Sequence, residues 1–296
     1  MKVKIMKEKL EAVILDWAGT TMDYGCMAPA VVFQKVFAEM EVPITMAEAR
    51  RPMGAHKKVH IQKITEDPAV QGRWKEQYGR NSNEGDVEMM FQSFVPAQIK
   101  VLADYAALIP GTLEAVAEFR KMGLKIGSTT GYTGDMMKVL IAEAEKQGYI
   151  PDVTVCATGE FAVRRGNYYE WGKIFGAEKN WNVSRPAPHM CNLNMALLGV
   201  SRPYLCVKVG DTIPDIEEGK NAGMWTVGLA KTGNEMGLTK AEAQALPAEE
   251  LRMRLQHTHD RMLGFGADYA AESIAEVPPI IAKLDYILTM GGRPRK

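Results

Sequence analysis

From about residue 105 onward, short apolar runs alternate with helical stretches, and this alternation limits what the chain can fold into. Residues 124–130, 152–157, 204–210 and 225–229 are strand-like, whereas 112–122, 134–147, 188–198 and 215–222 carry helical periodicity. Strands separated by helices of that length imply βαβ units and a parallel sheet. With the apolar run at 11–16, they predict an α/β fold with a doubly wound parallel sheet. Pro110-Gly111 opens the first of these helices, with Thr112 as its expected N-cap and Gly123 as its stop. Residues 24–105 break the series. They are charged, helical in spacing and without a buried strand, so they are expected to form an inserted helical cap, leaving 1–23 and 106–296 as the catalytic core.

Composition narrows the function classes. Hydrophobic residues make up 46% of the 296 and charged residues 24%, as in a soluble globular protein. Thirty-six acidic residues balance 36 basic ones, so no basic excess points to nucleic acid. No apolar stretch approaches the ~18–20 residues of a membrane span, and the lysine-rich start does not resemble a secretory signal. Cys26, Cys156, Cys191 and Cys206 show no paired spacing and are read as reduced thiols, so a cytoplasmic enzyme is expected.

Three of the strands end in groups suited to chemistry. Asp16 closes the first, ahead of a turn at Gly19; Thr130 closes the strand before Gly131; Asp211 closes Val-Lys-Val-Gly, with Asp215 four residues on. Parallel strands present such residues at one rim. Two carboxylates there repel unless a cation lies between them, and Mg²⁺ prefers carboxylate and phosphate oxygens. Arg185 adds a fixed positive charge, and His60 follows Lys57 by one helical turn. His56, His189, His257 and His259 make no metal-ligand spacing.

The run Asp16-Trp-Ala-Gly-Thr-Thr resembles the nucleophile loop of the haloacid dehalogenase superfamily, whose first Asp attacks phosphorus. Phosphatases of that superfamily carry a second Asp, a general acid, where this chain has Ala18. Within the superfamily the chain is similar to the phosphonatases over residues 11–290. The resemblance rests on 16–26, Arg-Pro-Met-Gly-x-x-Lys at 51–57, Gly-Ser-Thr-Thr-Gly-Tyr-Thr at 127–133, Val-Gly-Asp-Thr at 209–212 and Gly-x-Asn-Ala-Gly-Met-Trp at 219–225. It implies that Asp16 is the nucleophile and that Asp16, Asp211 and the Ala18 carbonyl hold Mg²⁺. Arg185 and Thr130 would contact the phosphoryl group, and Cys26, Met53, Gly131 and Tyr132 would line the substrate site. Lys57, selected over Lys58 by the family's register, would form a Schiff base with the aldehyde of a small phosphonate. His60 would shuttle protons, Asp215 would stand behind the metal ligands, and two chains would pair as a homodimer through their caps.

The chemistry connects Ala18 with Lys57. A phosphorus–carbon bond cannot break by expelling a bare carbanion, but a protonated imine accepts the electrons and the fragment leaves as an enamine. No leaving oxygen then needs a proton from position 18. An unperturbed lysine is neutral only roughly 0.04% of the time at pH 7, so Lys57 requires a lowered pKa. Two other readings stand beside this one. A phosphatase or phosphomutase acting on a phosphate ester would want an acid at position 18, and a silent binding relative would have no use for Asp16, Lys57, Arg185 and Asp211 together.

One stretch departs from the family pattern. Residues 158–183 run about twenty longer than a phosphonatase needs, with Phe161, Tyr168, Tyr169, Trp171, Phe175, Trp181, Arg164 and Arg165 among them. They are expected to form a surface excursion packed on itself, with a flap or interface as the alternative.

Overall fold

A computed structural model describes residues 8–163, 168–171 and 183–295. Among the described residues eight strands form one sheet, in the order β5 (Tyr168–Glu170), β4 (Glu160–Val163), β3, β2, β1, β6, β7 and β8. The parallel strands are β1 (Ala12–Leu15), β2 (Lys125–Thr130), β3 (Val153–Cys156), β6 (Cys206–Gly210), β7 (Trp225–Leu229) and β8 (Tyr269–Ala271). β1 lies between β2 and β6, so the chain winds outward in both directions from that pair. This is the switch point at which open α/β sheets build their sites. The strands there are buried along their length, and their apolar composition follows from helices covering both faces.

The helices fall close to their expected places. The first helix after the insertion, Thr112–Lys121, has Gly111 at its N-cap and Gly123 just beyond its end. Thr112 is therefore inside the first turn, not the cap. Gly111 takes a φ of 90°, which a β-carbon disfavours, and the Thr112 hydroxyl donates instead to the Thr21 carbonyl at 3.0 Å. The helix expected at 215–222 starts earlier, at Ile213, because Thr212 and Asp215 close a reciprocal capping box.

Residues 27–105 contain helices alone, as expected for the insertion. They are α1 (Met27–Glu39), α2 (Met46–Arg50), α3 (Lys57–Thr65), α4 (Pro68–Tyr78) and α5 (Glu84–Leu102), followed by a short 3₁₀ turn. Phe33, Phe37, Trp74 and Phe94 fill their interior. α5 also packs on the helix Gly134–Lys146, so one apolar cluster runs from the insertion into the sheet. No described helix is long and apolar enough to cross a membrane.

The stretch after β3 corrects an expectation. Residues Glu160–Val163 and Tyr168–Glu170 are strands β4 and β5, which continue the sheet antiparallel beyond β3. Phe161 and Trp171 join the main apolar cluster, and Phe161 stacks on the half-exposed Tyr169 ring at 5.1 Å. The segment therefore does not pack only on itself: its described part covers the edge that β3 would otherwise expose. Arg164, Arg165, Phe175 and Trp181 lie outside the described residues.

Candidate active site

Asp16 follows β1, Thr130 ends β2 and Asp211 follows β6, so the register of three adjacent strands brings them to one rim. Gly19 turns the chain after Asp16 with a φ of 85°, and a β-carbon there would lie 2.2 Å from Asp211 Oδ2. Only glycine lets the two loops meet so closely. The Asp211 carboxylate also accepts from the backbone N–H of Asn234 at 2.7 Å.

Beneath that rim lies a buried charge network centred on Arg185. Its Nη2 donates to Asp16 Oδ1 at 2.6 Å and to Thr129 Oγ1 at 2.7 Å, and stands 3.1 Å from Asp215 Oδ1. Its Nε donates to Glu218 Oε2 at 2.9 Å. Lys208 approaches the same acids from β6, 2.8 Å from Asp215 Oδ1 and 3.3 Å from Glu218 Oε2, and donates to Thr129 Oγ1 at 2.6 Å. Arg185 and Lys208 hold Asp215 below the usual carboxylate range despite its burial. Burial, only partly offset by Arg185, pushes Asp16 up, and burial together with the Asp16 charge pushes Asp211 well up.

Thr129, Lys208 and Glu218 were not anticipated as members of the site, yet the sequence carried a signal. A lysine in the middle of a buried parallel strand must find a counter-charge, and Asp215 and Glu218 stand three apart on the next helix.

The donor set fits a small divalent cation. Oxygens of Asp16, Asp211 and Asp215 lie within 4.8 Å of one another. Four buried carboxylates (Asp16, Asp211, Asp215 and Glu218) face the two cations Arg185 and Lys208, an excess of negative charge on hard oxygen donors. Asp215 is already engaged by Arg185, Lys208 and Thr212. Asp16 and Asp211 are the freer carboxylates, hard oxygen donors of the kind that Mg²⁺ takes.

The helical insertion closes over this rim. Gly54 sits against Thr212 and Pro214, and Gly131 against the carbonyls of Gly54 and Ala55, with no room for a β-carbon at either glycine. The small cavity so formed is lined by Asp16, Ala18, Cys26, Met53, Lys57, Thr130, Gly131, Tyr132, Arg185 and Asp211, with Gly54 and Thr212. Lys57 opens α3 and is 4% exposed. Its Nζ lies 4.8 Å from the centroid of the Tyr132 ring and 5.8 Å from that of Phe33. Burial lowers its pKa to about 8. Lys58 is different: its side chain is 37% exposed and pairs with Glu88 at 2.7 Å.

Two anticipated residues stay outside the cavity lining. Asp215 lies behind Arg185, as above. His60 stacks on Phe33 at 3.8 Å, and its Nε2 lies 2.8 Å from the Ala49 carbonyl, so it ties α3 to α2. Burial and the Lys57 charge keep its pKa well below the usual imidazole value.

Comparison with known proteins gives the family and the fold. The family model of the haloacid dehalogenase-like hydrolases matches residues 10–223. A phosphonoacetaldehyde hydrolase of Syntrophobacter fumaroxidans is 44% identical over 96% of this chain and 95% of its own length. The chain belongs to the phosphonoacetaldehyde hydrolase family. A Bacillus cereus member is 39% identical over 94% of this chain and 97% of its own length. The crystal structure of a phosphonoacetaldehyde hydrolase-like protein from Oleispira antarctica superposes with a TM-score of 0.88, at 36% identity and 99% coverage of both chains. A family member of this kind is a hydrolase, and its fold is the α/β architecture described above.

Proposed function

We propose that this chain hydrolyses the phosphorus–carbon bond of phosphonoacetaldehyde, giving acetaldehyde and phosphate, and that residues 24–105 act as the cap over a core formed by 1–23 and 106–296. One observation carries the reading: a buried lysine of lowered pKa lines the same cavity as Asp16, Arg185 and Asp211, while position 18 is alanine.

The Lys57 amine adds to the aldehyde carbon and water leaves, forming an imine that is protonated on nitrogen. Asp16 attacks phosphorus through a carboxylate oxygen, and the phosphorus–carbon electron pair moves into the iminium to give an enamine. Protonation at carbon and hydrolysis of the imine release acetaldehyde, and water cleaves the aspartyl-phosphate. Arg185 neutralises the phosphoryl oxygens and holds Asp16 in line, and the Thr130 hydroxyl lies at the same rim. Asp16 and Asp211, with the Ala18 carbonyl, would hold Mg²⁺, which supplies charge stabilisation for the transferring phosphoryl group. Cys26, Met53, Gly131 and Tyr132 would confine the two-carbon arm. His60, outside the cavity lining and held on the Ala49 carbonyl, would act by fixing the Lys57 helix and not as the proton shuttle that the resemblance implies.

The resemblance also implies a homodimer joined through the caps. Tyr78 and Met89, 39% and 47% exposed on α4 and α5, provide apolar surface for it. Sedimentation equilibrium tests this: a monomer would reject the dimer without touching the chemistry.

Acetaldehyde and phosphate should appear in equal amounts from phosphonoacetaldehyde, with little phosphate from an ester panel. Faster turnover of a phosphate ester than of the phosphonate would overturn the proposal in favour of a phosphatase or phosphomutase.

A further inference from the structure

Arg50 is the last residue of α2 and is 8% exposed, yet no described carboxylate forms a salt bridge with it. Its two terminal nitrogens meet neutral acceptors, while the buried Nε has no hydrogen-bond partner. Nη1 donates to the Gly25 carbonyl at 2.6 Å and to Asn234 Oδ1 at 3.2 Å, and Nη2 points at Met27 Sδ from 2.7 Å. Asn234 returns a bond from Nδ2 to the Arg50 carbonyl at 3.3 Å. Such a hold depends on placement more than on net charge, because none of these acceptors is ionised.

Asn234 also faces the other way. Its backbone N–H is the donor on Asp211 Oδ2. The loop that carries it is tied directly to the site: a β-carbon on Gly233 would lie 2.2 Å from Asp211 Cβ, and Thr232 donates from Oγ1 to the Gly19 carbonyl at 2.9 Å. The Thr232 carbonyl in turn accepts from Gly25 N at 2.7 Å, at the start of the helical insertion. Asp211, the Gly19 turn and the entrance to the insertion therefore meet on this one loop. From Arg50 the contact continues through Ala49, whose carbonyl meets His60 of α3, the helix that begins at Lys57.

We propose that Arg50 and Asn234 are positioning residues that couple occupancy of the Asp16–Asp211 cation site to closure of the insertion over Lys57. This rests on the reading of those acids as the Mg²⁺ ligands. A cation drawing Asp16 and Asp211 together fixes the loop 232–234. That loop then presents Asn234 to Arg50 in the geometry that holds α2 and α3 down. By linkage, closure strengthens cation binding by the same factor.

The test measures acetylation of Lys57 by acetic anhydride without substrate, with and without Mg²⁺, using peptide mass mapping and Lys58 as internal reference. In the wild type, Mg²⁺ should slow Lys57 labelling about tenfold, within the usual range of coupling between sites. Asn234→Ala keeps the backbone N–H on Asp211 but removes both side-chain bonds to Arg50. In that variant and in Arg50→Met, Mg²⁺ should change the rate less than about twofold, with partial return of the effect in Arg50→Lys. Equal protection in wild type and Asn234→Ala would overturn the coupling, as would no Mg²⁺ effect in the wild type. Should Arg50→Met fail to fold, Asn234→Ala decides alone. Borohydride trapping on the same wild-type preparation reports separately on imine formation, so a failure of the chemical reading is distinguishable from a failure of the coupling.

Discussion

Arg185 Nη2 lies 2.6 Å from Asp16 Oδ1, and both side chains are almost wholly buried. A charge pair at that depth is strong only if its other donors are also satisfied, and here Thr129, Asp215 and Glu218 take them. Arg185→Lys keeps the charge but cannot serve Asp16 and Glu218 from two nitrogens at once. The expected loss in kcat is about 10²- to 10³-fold, with the fold retained by circular dichroism. Wild-type kcat in this variant would remove Arg185 from the phosphoryl site.

Asp211 and Asp215 should respond in opposite senses to loss of charge. Burial and the Asp16 charge hold the Asp211 pKa well above its ordinary value, so its ionised form is disfavoured in the metal-free protein. Asp211→Asn should raise the melting temperature without Mg²⁺ while sharply weakening Mg²⁺ binding by calorimetry. Asp215 is held low by Arg185 and Lys208, so Asp215→Asn should destabilise by about 3 kcal/mol. The same order of melting temperatures in both variants would contradict the division of roles.

Lys57 carries a stability cost that has a pH signature. A fall from the ordinary 10.5 to about 8, caused first by burial, corresponds to roughly 3 kcal/mol. Below about pH 8 folded and unfolded chains both hold the proton, and the full penalty applies. Between about 8 and 10.5 the unfolded chain binds more protons, so stability rises with pH through that window. Lys57→Met should therefore be inactive yet more stable than wild type at pH 7, with the gap closing toward pH 10. A variant less stable at pH 7 would mean the amine is not buried at such cost.

Position 18 tests the leaving-group argument. Ala18 lines the cavity beside Asp16 and Asp211, so Ala18→Asp adds another carboxylate to a site already in negative excess. Phosphonoacetaldehyde turnover should fall, by an order of magnitude or more on the scale of lost electrostatic stabilisation (about tenfold per 1.4 kcal/mol). Higher turnover would show that a proton from this position had been missing.

The sheet's centre was legible because β1, β6 and β7 are short, mostly apolar runs between helical stretches, and Asp16, Thr130 and Asp211 stand at the ends of β1, β2 and β6. The cavity's cap side was legible only through the family register: nothing in the composition of 51–60 separates Lys57 from Lys58. Burial does separate them, because α3 turns Lys57 inward over Phe33 and Tyr132 while Lys58 reaches Glu88. β5 and β8 escaped notice since each has only three residues, too few for alternation to register, and β4 because Glu160-Phe-Ala-Val sits in a stretch rich in Gly, Asn and aromatic residues without periodicity. Asn234 was invisible for a different reason. Its importance lies in a contact with Arg50, 184 residues away in sequence, and no local pattern encodes it.

The central claim is that Lys57 forms an imine with the substrate, and borohydride trapping tests it most directly. Sodium borohydride added with phosphonoacetaldehyde should inactivate the wild type irreversibly and leave a reduced adduct on Lys57 in peptide mass maps. Lys57→Arg, which keeps the charge but has no nucleophilic amine, should show neither turnover nor adduct, and Lys58→Arg should behave as wild type. An adduct on Lys58, or continued cleavage with no adduct at all, would contradict the account.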